Sequence, residues 1–185
     1  MPKEKAKKVR IVQKSDPVLR AVAEPVPLDK VRSRAVQMVI ADMKAAMEPQ
    51  TDAVAIAAPQ IGQSVRIFVI SHRAFDISRG DVAVKAPSDM VFVNPRLIKT
   101  SKKKEYMEEG CLSVRYMYGK VNRAEKATIE AYDEHGRKFT RGFSGLLAQI
   151  VQHETDHLDG TLFIDKAKHL HEISHEEYER MLKSV

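Results

Sequence analysis

Between Ser144 and Gly160 an apolar-patterned run ends in Gln152-His153-Glu154-Thr155-Asp156-His157, and this stretch constrains both fold and chemistry. Leu146, Leu147, Ile150, Val151, Glu154 and His157 recur at near-helical spacing, which predicts a helix with Ser144 as N-cap and Gly160 just past its end. Residues four apart share one helix face, so the His153 and His157 imidazoles project together and can grip one ion. Glu154, next to the first histidine, is placed to reach a water held by that ion. A solvated helix can also spell His-Glu-x-x-His by accident. Two protein ligands fall short of the three that a catalytic metal commonly takes beside an open position. A third donor must come from elsewhere.

The 185 residues suit a single domain, 11–185, preceded by a basic, flexible tail over 1–10. Hydrophobic residues at 43% and charged residues at 30% point to a globular chain, neither disordered nor membrane-embedded. No apolar run approaches the ~18 residues that cross a bilayer. The charged start, Met1-Pro2-Lys3-Glu4-Lys5-Ala6-Lys7-Lys8, lacks an apolar segment, so no secretory signal is expected. Its single cysteine excludes an internal disulfide and fits a reducing cytoplasm. A formal charge of +6 favours anionic surroundings, but no aromatic-studded basic motif marks a specific DNA reader.

Along the chain, Ser15 to Arg20 reads as a turn that Asp16 can cap. Asp29 opens a helical pattern with Val31, Ala35, Met38, Val39, Met43 and Ala46 on one face, and Met38, Met43 and Met47 as core fillers. The small apolar run from Ala53 ends where Pro59 and Gly62 bracket Gln60 in a turn. Val65–Ile70 and Val91–Val93 are strands, His72–Met90 a loop, and Asn94-Pro95 a turn. Lys102-Lys103-Lys104 reads as an exposed hairpin tip, Thr128–Tyr132 as a half-buried strand and Ser174–Met181 as a capped polar helix. His72, His135, His169, His171 and His175 read as surface residues. A lone cysteine such as Cys111 is by itself most simply a small buried apolar residue, although Glu109, Gly110 and Ser113 put polar character beside it.

Three motifs in series resemble the peptide deformylases. Glu109-Gly110-Cys111-Leu112-Ser113 matches that family's second motif, Gln152 to His157 its third, and Ile56-Ala57-Ala58-Pro59-Gln60 most of its first. Asp16-Pro17-Val18-Leu19-Arg20 and Val121-Asn122-Arg123-Ala124-Glu125-Lys126 are also similar, so the likeness spans about residues 10 to 165. The resemblance implies an α+β fold, with antiparallel sheets packed around a central metal-binding helix and with an N-terminal and a C-terminal helix. It makes Cys111 the third ligand beside His153 and His157, holding one divalent ion: Fe2+, with Zn2+ or Ni2+ as substitutes. It implies a hydrolase that removes the formyl group from the formyl-methionine end of nascent chains and releases formate. Glu154 is then the acid/base, and the Gln60 amide and Leu112 N–H receive the oxyanion. Val54, Met107, Leu146, Gln149 and Ile150 line the methionine pocket, the peptide lies along Val54-Ala55, and Glu109 and Gly110 border it. The basic tail is expected to assist contact with the ribosome.

The chain departs from the family in having Ala53 and Ala55 for glycine, and Val114-Arg115-Tyr116 for Val-Pro-Gly. These positions border the cleft. Two rival readings follow: a deformylase-like protein that binds ribosomes or formylated ends with weakened catalysis, and a zinc peptidase whose third ligand is Asp159, Asp165 or His169.

Overall fold

Helix α1, Arg34–Met47, begins after Ser33, whose Oγ accepts from the Val36 N–H at 3.4 Å. In the computed structural model, which describes residues 9–77 and 88–183, Asp29 belongs instead to a separate 3-10 turn, Leu28–Lys30. The helix buries Ile40, Met43, Ala46 and Met47, while Met38 is 52% exposed and is not a core filler. Met38 stands about 140° around the helix from Met43, so one apolar face cannot hold both. Asp16 caps the 3-10 turn Pro17–Arg20 through the Val18 N–H at 3.0 Å, as its position predicts.

The small run after Pro49 becomes strand β1, Ala55–Ala57, and then a 3-10 turn, Ala58–Ile61. Strand β2, Ile67–Ile70, pairs antiparallel with β1. The segment from His72 is not all loop: helix α2 covers His72–Ile77, because Ala74 and Phe75 find a buried seat. Strand β3, Met90–Thr100, runs straight through Asn94-Pro95. There the chain bulges instead of turning. Asn94 adopts φ 50°, and its amide pairs with the Val26 backbone at 2.8 and 2.7 Å, so one residue drops out of register.

Strand β4, Lys104–Cys111, pairs with β5, Val114–Ala124, whereas β3 pairs with β6, Lys126–Tyr132. The lysines at 102–104 therefore mark a crossing between two sheets and not a hairpin tip. With β7, Lys138–Ser144, the larger sheet has the order β1-β2-β3-β6-β7. Helix α3, Gly145–Leu158, packs on it through a shared core in which the Phe68 and Phe92 rings stack at 4.5 Å. Ser144 takes the N-cap position without a side-chain cap bond, and Gly160 follows with φ 71°. The smaller sheet, β4-β5-β8, ends in β8, Lys168–Glu172, whose residues are all exposed. Helix α4, His175–Lys183, is opened by a capping box in which Ser174 and Glu177 exchange bonds of 2.8 and 3.1 Å. The architecture is α+β, with α3 lying between the two sheets. Lys3, Lys5, Lys7 and Lys8 of the basic tail lie outside the described residues.

Candidate active site

The three donors come from two elements. His153 and His157 stand one turn apart on α3, and Cys111 closes β4, where it pairs with Val114 across the Leu112-Ser113 turn. Their ligand atoms all lie within 4.8 Å of one another, with Cys111 Sγ 3.2 Å from His157 Nε2. Among the described residues this is the group of His, Cys, Asp and Glu side chains that can hold a metal ion. Asp159 and Asp165 are instead paired with Arg66 at 2.8 Å and Arg20 at 2.5 Å, and His169 is exposed on β8. None of these converges on the helix histidines.

Gln60 is buried and its amide is oriented by the backbone. The Ala57 N–H can only donate, so the atom 2.8 Å away is Oε1 and Nε2 must face the other way. Nε2 then lies 3.5 Å from Cys111 Sγ and 3.3 Å from Ser113 Oγ. The Ser113 N–H also points at the sulfur, at 3.4 Å. Two donors thus stand where a negatively charged sulfur would be held.

Behind the histidines runs a network that sequence reasoning does not reveal. Glu109 Oε2 accepts from His153 Nδ1 at 2.8 Å, which leaves Nε2 to face Cys111 and the cluster. Arg123 grips both Glu109 oxygens at 2.6 and 2.9 Å and Asp156 at 2.7 Å, and Lys166 holds Asp156 from outside at 2.6 Å. Burial pushes the Glu109 pKa up, but the Arg123 and His153 bonds outweigh it and bring it to about 2. Burial depresses His157 well below the usual imidazole value. His153 is held well above it, because the Cys111 and Glu109 bonds overcome the same burial. Glu154 lies beside this cluster, buried, with its pKa pushed up to about 7 by desolvation.

Among the described residues, two buried side-chain atoms have no hydrogen-bond partner, Glu154 Oε2 and His157 Nδ1. A carboxylate oxygen left unmatched beside a Cys-His-His cluster fits a site that takes an ion and its water. Sulfur and imidazole donors suit Fe2+, Zn2+ and Ni2+ alike.

A cavity of about 280 Å3 opens over the cluster. Of the residues expected to serve the substrate, Val54, Ala55, Glu109, Gly110, Leu146, Gln149 and Ile150 line it, as do Gln60, Leu112 and Glu154. Met107 is not among the lining residues; it sits two positions earlier on β4, opposite Val121. Glu109 borders the cavity, but Arg123 and His153 occupy both its oxygens. Gly110 lies tight against Tyr118: a Cβ there would come within 2.6 Å of the ring, which would have to shift. Neither Ala53 nor Ala55 has a positive φ, so both accept the extended path. Tyr116 is different: its φ of 65° falls in the left-handed region, at the position where the family tends to have glycine.

A sequence model of polypeptide deformylases matches residues 8–172. The chain belongs to the polypeptide deformylase family. It is 41% identical over 155 residues to the peptide deformylase of Chlorobaculum parvum, covering 82% of this chain and 75% of that one. The peptide deformylase of Flavobacterium psychrophilum is 36% identical, with 84% and 80% covered. Among solved structures, the actinonin-bound class I type b deformylase of Acinetobacter baumannii superposes with a TM-score of 0.75 at 31% identity, covering 88% of this chain and all of that one. The Thermotoga maritima deformylase gives 0.72 at 31%, covering 88% and 99%. As a deformylase, this chain is a metal-dependent hydrolase that removes the formyl group from the N termini of nascent peptides.

Proposed function

We propose that Cys111, His153 and His157 hold one divalent ion, Fe2+ in the cell, and that residues 11–185 act as one catalytic domain on formyl-methionyl chains. The observation that carries this reading is the convergence of the three donors beside a buried Glu154 whose Oε2 has no protein partner. When bound, the ion supplies Lewis acidity and lowers the pKa of water. Glu154 takes the proton from the attacking water and returns it to the amine nitrogen as the C–N bond breaks, so formamide and water become formate and a free amino terminus. The Gln60 Nε2 and Leu112 N–H donate to the formyl oxygen as it gains charge, an effect of about 2.7–4 kcal/mol per donor. Glu109 and Arg123 hold the His153 ring. Val54, Leu146, Gln149 and Ile150 receive the methionine side chain, and the peptide adds to the β1 edge along Val54-Ala55.

No helix among the described residues is long and apolar enough to cross a membrane. We place the enzyme in the cytoplasm, where Lys3, Lys5, Lys7, Lys8 and Arg10 assist its contact with ribosomal RNA. Such contact would weaken steeply with salt. The test of the activity is formate release from formyl-Met-Ala-Ser by protein loaded anaerobically with Fe2+ or Ni2+, run beside cleavage of an internal amide. Amide cleavage without formate release would reject the assignment.

A further inference from the structure

Two bonds tie the start of the chain to the residues proposed to receive the oxyanion. The Val12 N–H donates to the Gln60 C=O at 2.9 Å, and Gln13 Nε2 donates to the Leu112 C=O at 3.1 Å. A backbone carbonyl can only accept, so the nitrogen of the Gln13 amide is the atom that faces it. The carbonyls of Ile11 and Val12 lie 3.5 Å from the same nitrogen. The segment is anchored on both sides of these bonds. Ile11 packs against the apolar cluster that contains Leu112, and Val12 against the one on which Cys111 also packs. The Gln13 C=O accepts from the Asp16 N–H at 2.8 Å, which leads into the Pro17–Arg20 turn and its buried Leu19.

Gln13 holds a turn that lacks the usual support. Cys111 and Val114 pair across Leu112-Ser113, and neither of the two turn residues has a positive φ. Two-residue hairpin loops match the twist of their strands when built on positive φ, and without it the strands tend to splay. The bond from Gln13 supplies a hold from outside the hairpin. A trans peptide directs its C=O and N–H to opposite sides. Fixing the Leu112 oxygen therefore aims the Ser113 N–H, which points at Cys111 Sγ at 3.4 Å. A carbonyl that accepts a bond also polarises its own peptide, which strengthens that N–H as a donor. The Val12 bond fixes the backbone of Gln60, whose Nε2 lies 3.5 Å from the same sulfur.

We infer that Gln13 is a positioning residue for the deformylation reaction. It fixes the Leu112-Ser113 peptide, and so holds the Leu112 N–H towards the formyl oxygen and the Ser113 N–H on the Cys111 sulfur. Gln13 is exposed and does not line the cavity, so it acts through this peptide and not on the substrate. The inference rests on the deformylase reading above, with Cys111 as a ligand.

The experiment compares full-length, ion-loaded wild type with two variants. Gln13→Glu keeps the shape of the side chain but has no proton to donate at neutral pH, and Gln13→Lys keeps a donor. With Ni2+ loaded, Gln13→Glu should lower kcat on formyl-Met-Ala-Ser about threefold to tenfold and leave KM within about twofold, as loss of one hydrogen bond felt in the transition state. With Co2+ loaded, its sulfur-to-cobalt absorption in the near ultraviolet should move to longer wavelength, because a sulfur with a weaker hydrogen bond releases charge to the ion more readily. Gln13→Lys should recover most of kcat and the wild-type band, and Lys14→Ala, at the exposed position beside it, should change neither. Since Gln13 is exposed, each variant should unfold within about 3 °C of wild type. An unmoved band in Gln13→Glu overturns the inference, as does a loss expressed only in KM or only in Tm. A wild type without such a band overturns Cys111 as a ligand, and one that releases no formate overturns the deformylase reading itself; either takes the inference with it.

Discussion

Arg123→Met removes the guanidinium that holds the support of His153 together. That side chain is 5% exposed and makes three charge-assisted bonds, two to Glu109 and one to Asp156. Glu109 is 3% exposed and cannot recover water when its partner leaves. Removing one partner of a buried ion pair costs about 3–5 kcal/mol. Asp156 is 15% exposed and keeps Lys166, so it adds little. A loss of about 4 kcal/mol lowers Tm by roughly 8–16 °C in a chain of this size. The chain has no tryptophan, so urea unfolding is followed by far-UV circular dichroism, with and without a bound ion. Ion affinity should also fall, by no more than about 10–100-fold, because Glu109, which orients His153, loses the guanidinium that fixes it. The double variant Arg123→Met with Glu109→Gln removes both charges and should recover part of the stability. A single-variant loss below about 1 kcal/mol would refute the account, and so would a double variant as unstable as the sum of its parts.

Glu154→Gln should keep the ion and lose about 10²–10⁴ in turnover; retention of a tenth of the activity would exclude Glu154 as the base. Cys111→Ser should lose its ion on dialysis, because a hydroxyl replaces a thiolate poorly, and unchanged metal content would remove Cys111 from the site. Asp165 has its pKa lowered below 3.8, chiefly by the Arg20 bond. A depressed carboxylate stabilises above its unfolded value and loses that contribution as pH falls through the folded one. The Tm gap between wild type and Asp165→Asn should therefore close below about pH 4, and a gap constant with pH would contradict this. Restoring glycine at Ala53 and Ala55 together should leave metal content unchanged and lower KM for formylated peptides more than it alters kcat. A large rise in kcat from a nearly inactive parent would mark these alanines as disabling.

What was readable in the chain was local. The α3 histidines share a face because their spacing is a property of one helix, and Asp16, Pro59 and Gly62 act on their immediate neighbours. The place of Cys111 beside the helix histidines was not readable from its surroundings, since His157 is 46 residues away; only the resemblance to a family implied it as a ligand. The Glu109–Arg123–Asp156 network has the same origin, because it joins β4, β5 and α3. Asn94-Pro95 has turn chemistry and makes a bulge instead, because Val26 supplies the missing bonds. Strand β8 has no alternation to display when all five residues face water. Met38 failed for a simpler reason: its angle around α1 is incompatible with that of Met43.

The division of the three candidate ligands between a strand and a helix also sets an order in time. Isolated helical segments form within about a microsecond, whereas contacts between distant stretches wait for loop closure and the docking of sheets. Cys111 meets His157 over 46 residues and Gln60 over 51, so no early fragment of the chain contains the site. A young chain that has formed only α3 offers an arriving ion two imidazoles and no sulfur. The complete three-donor group is thus a property of the finished protein and plays no part in the earliest steps of its folding.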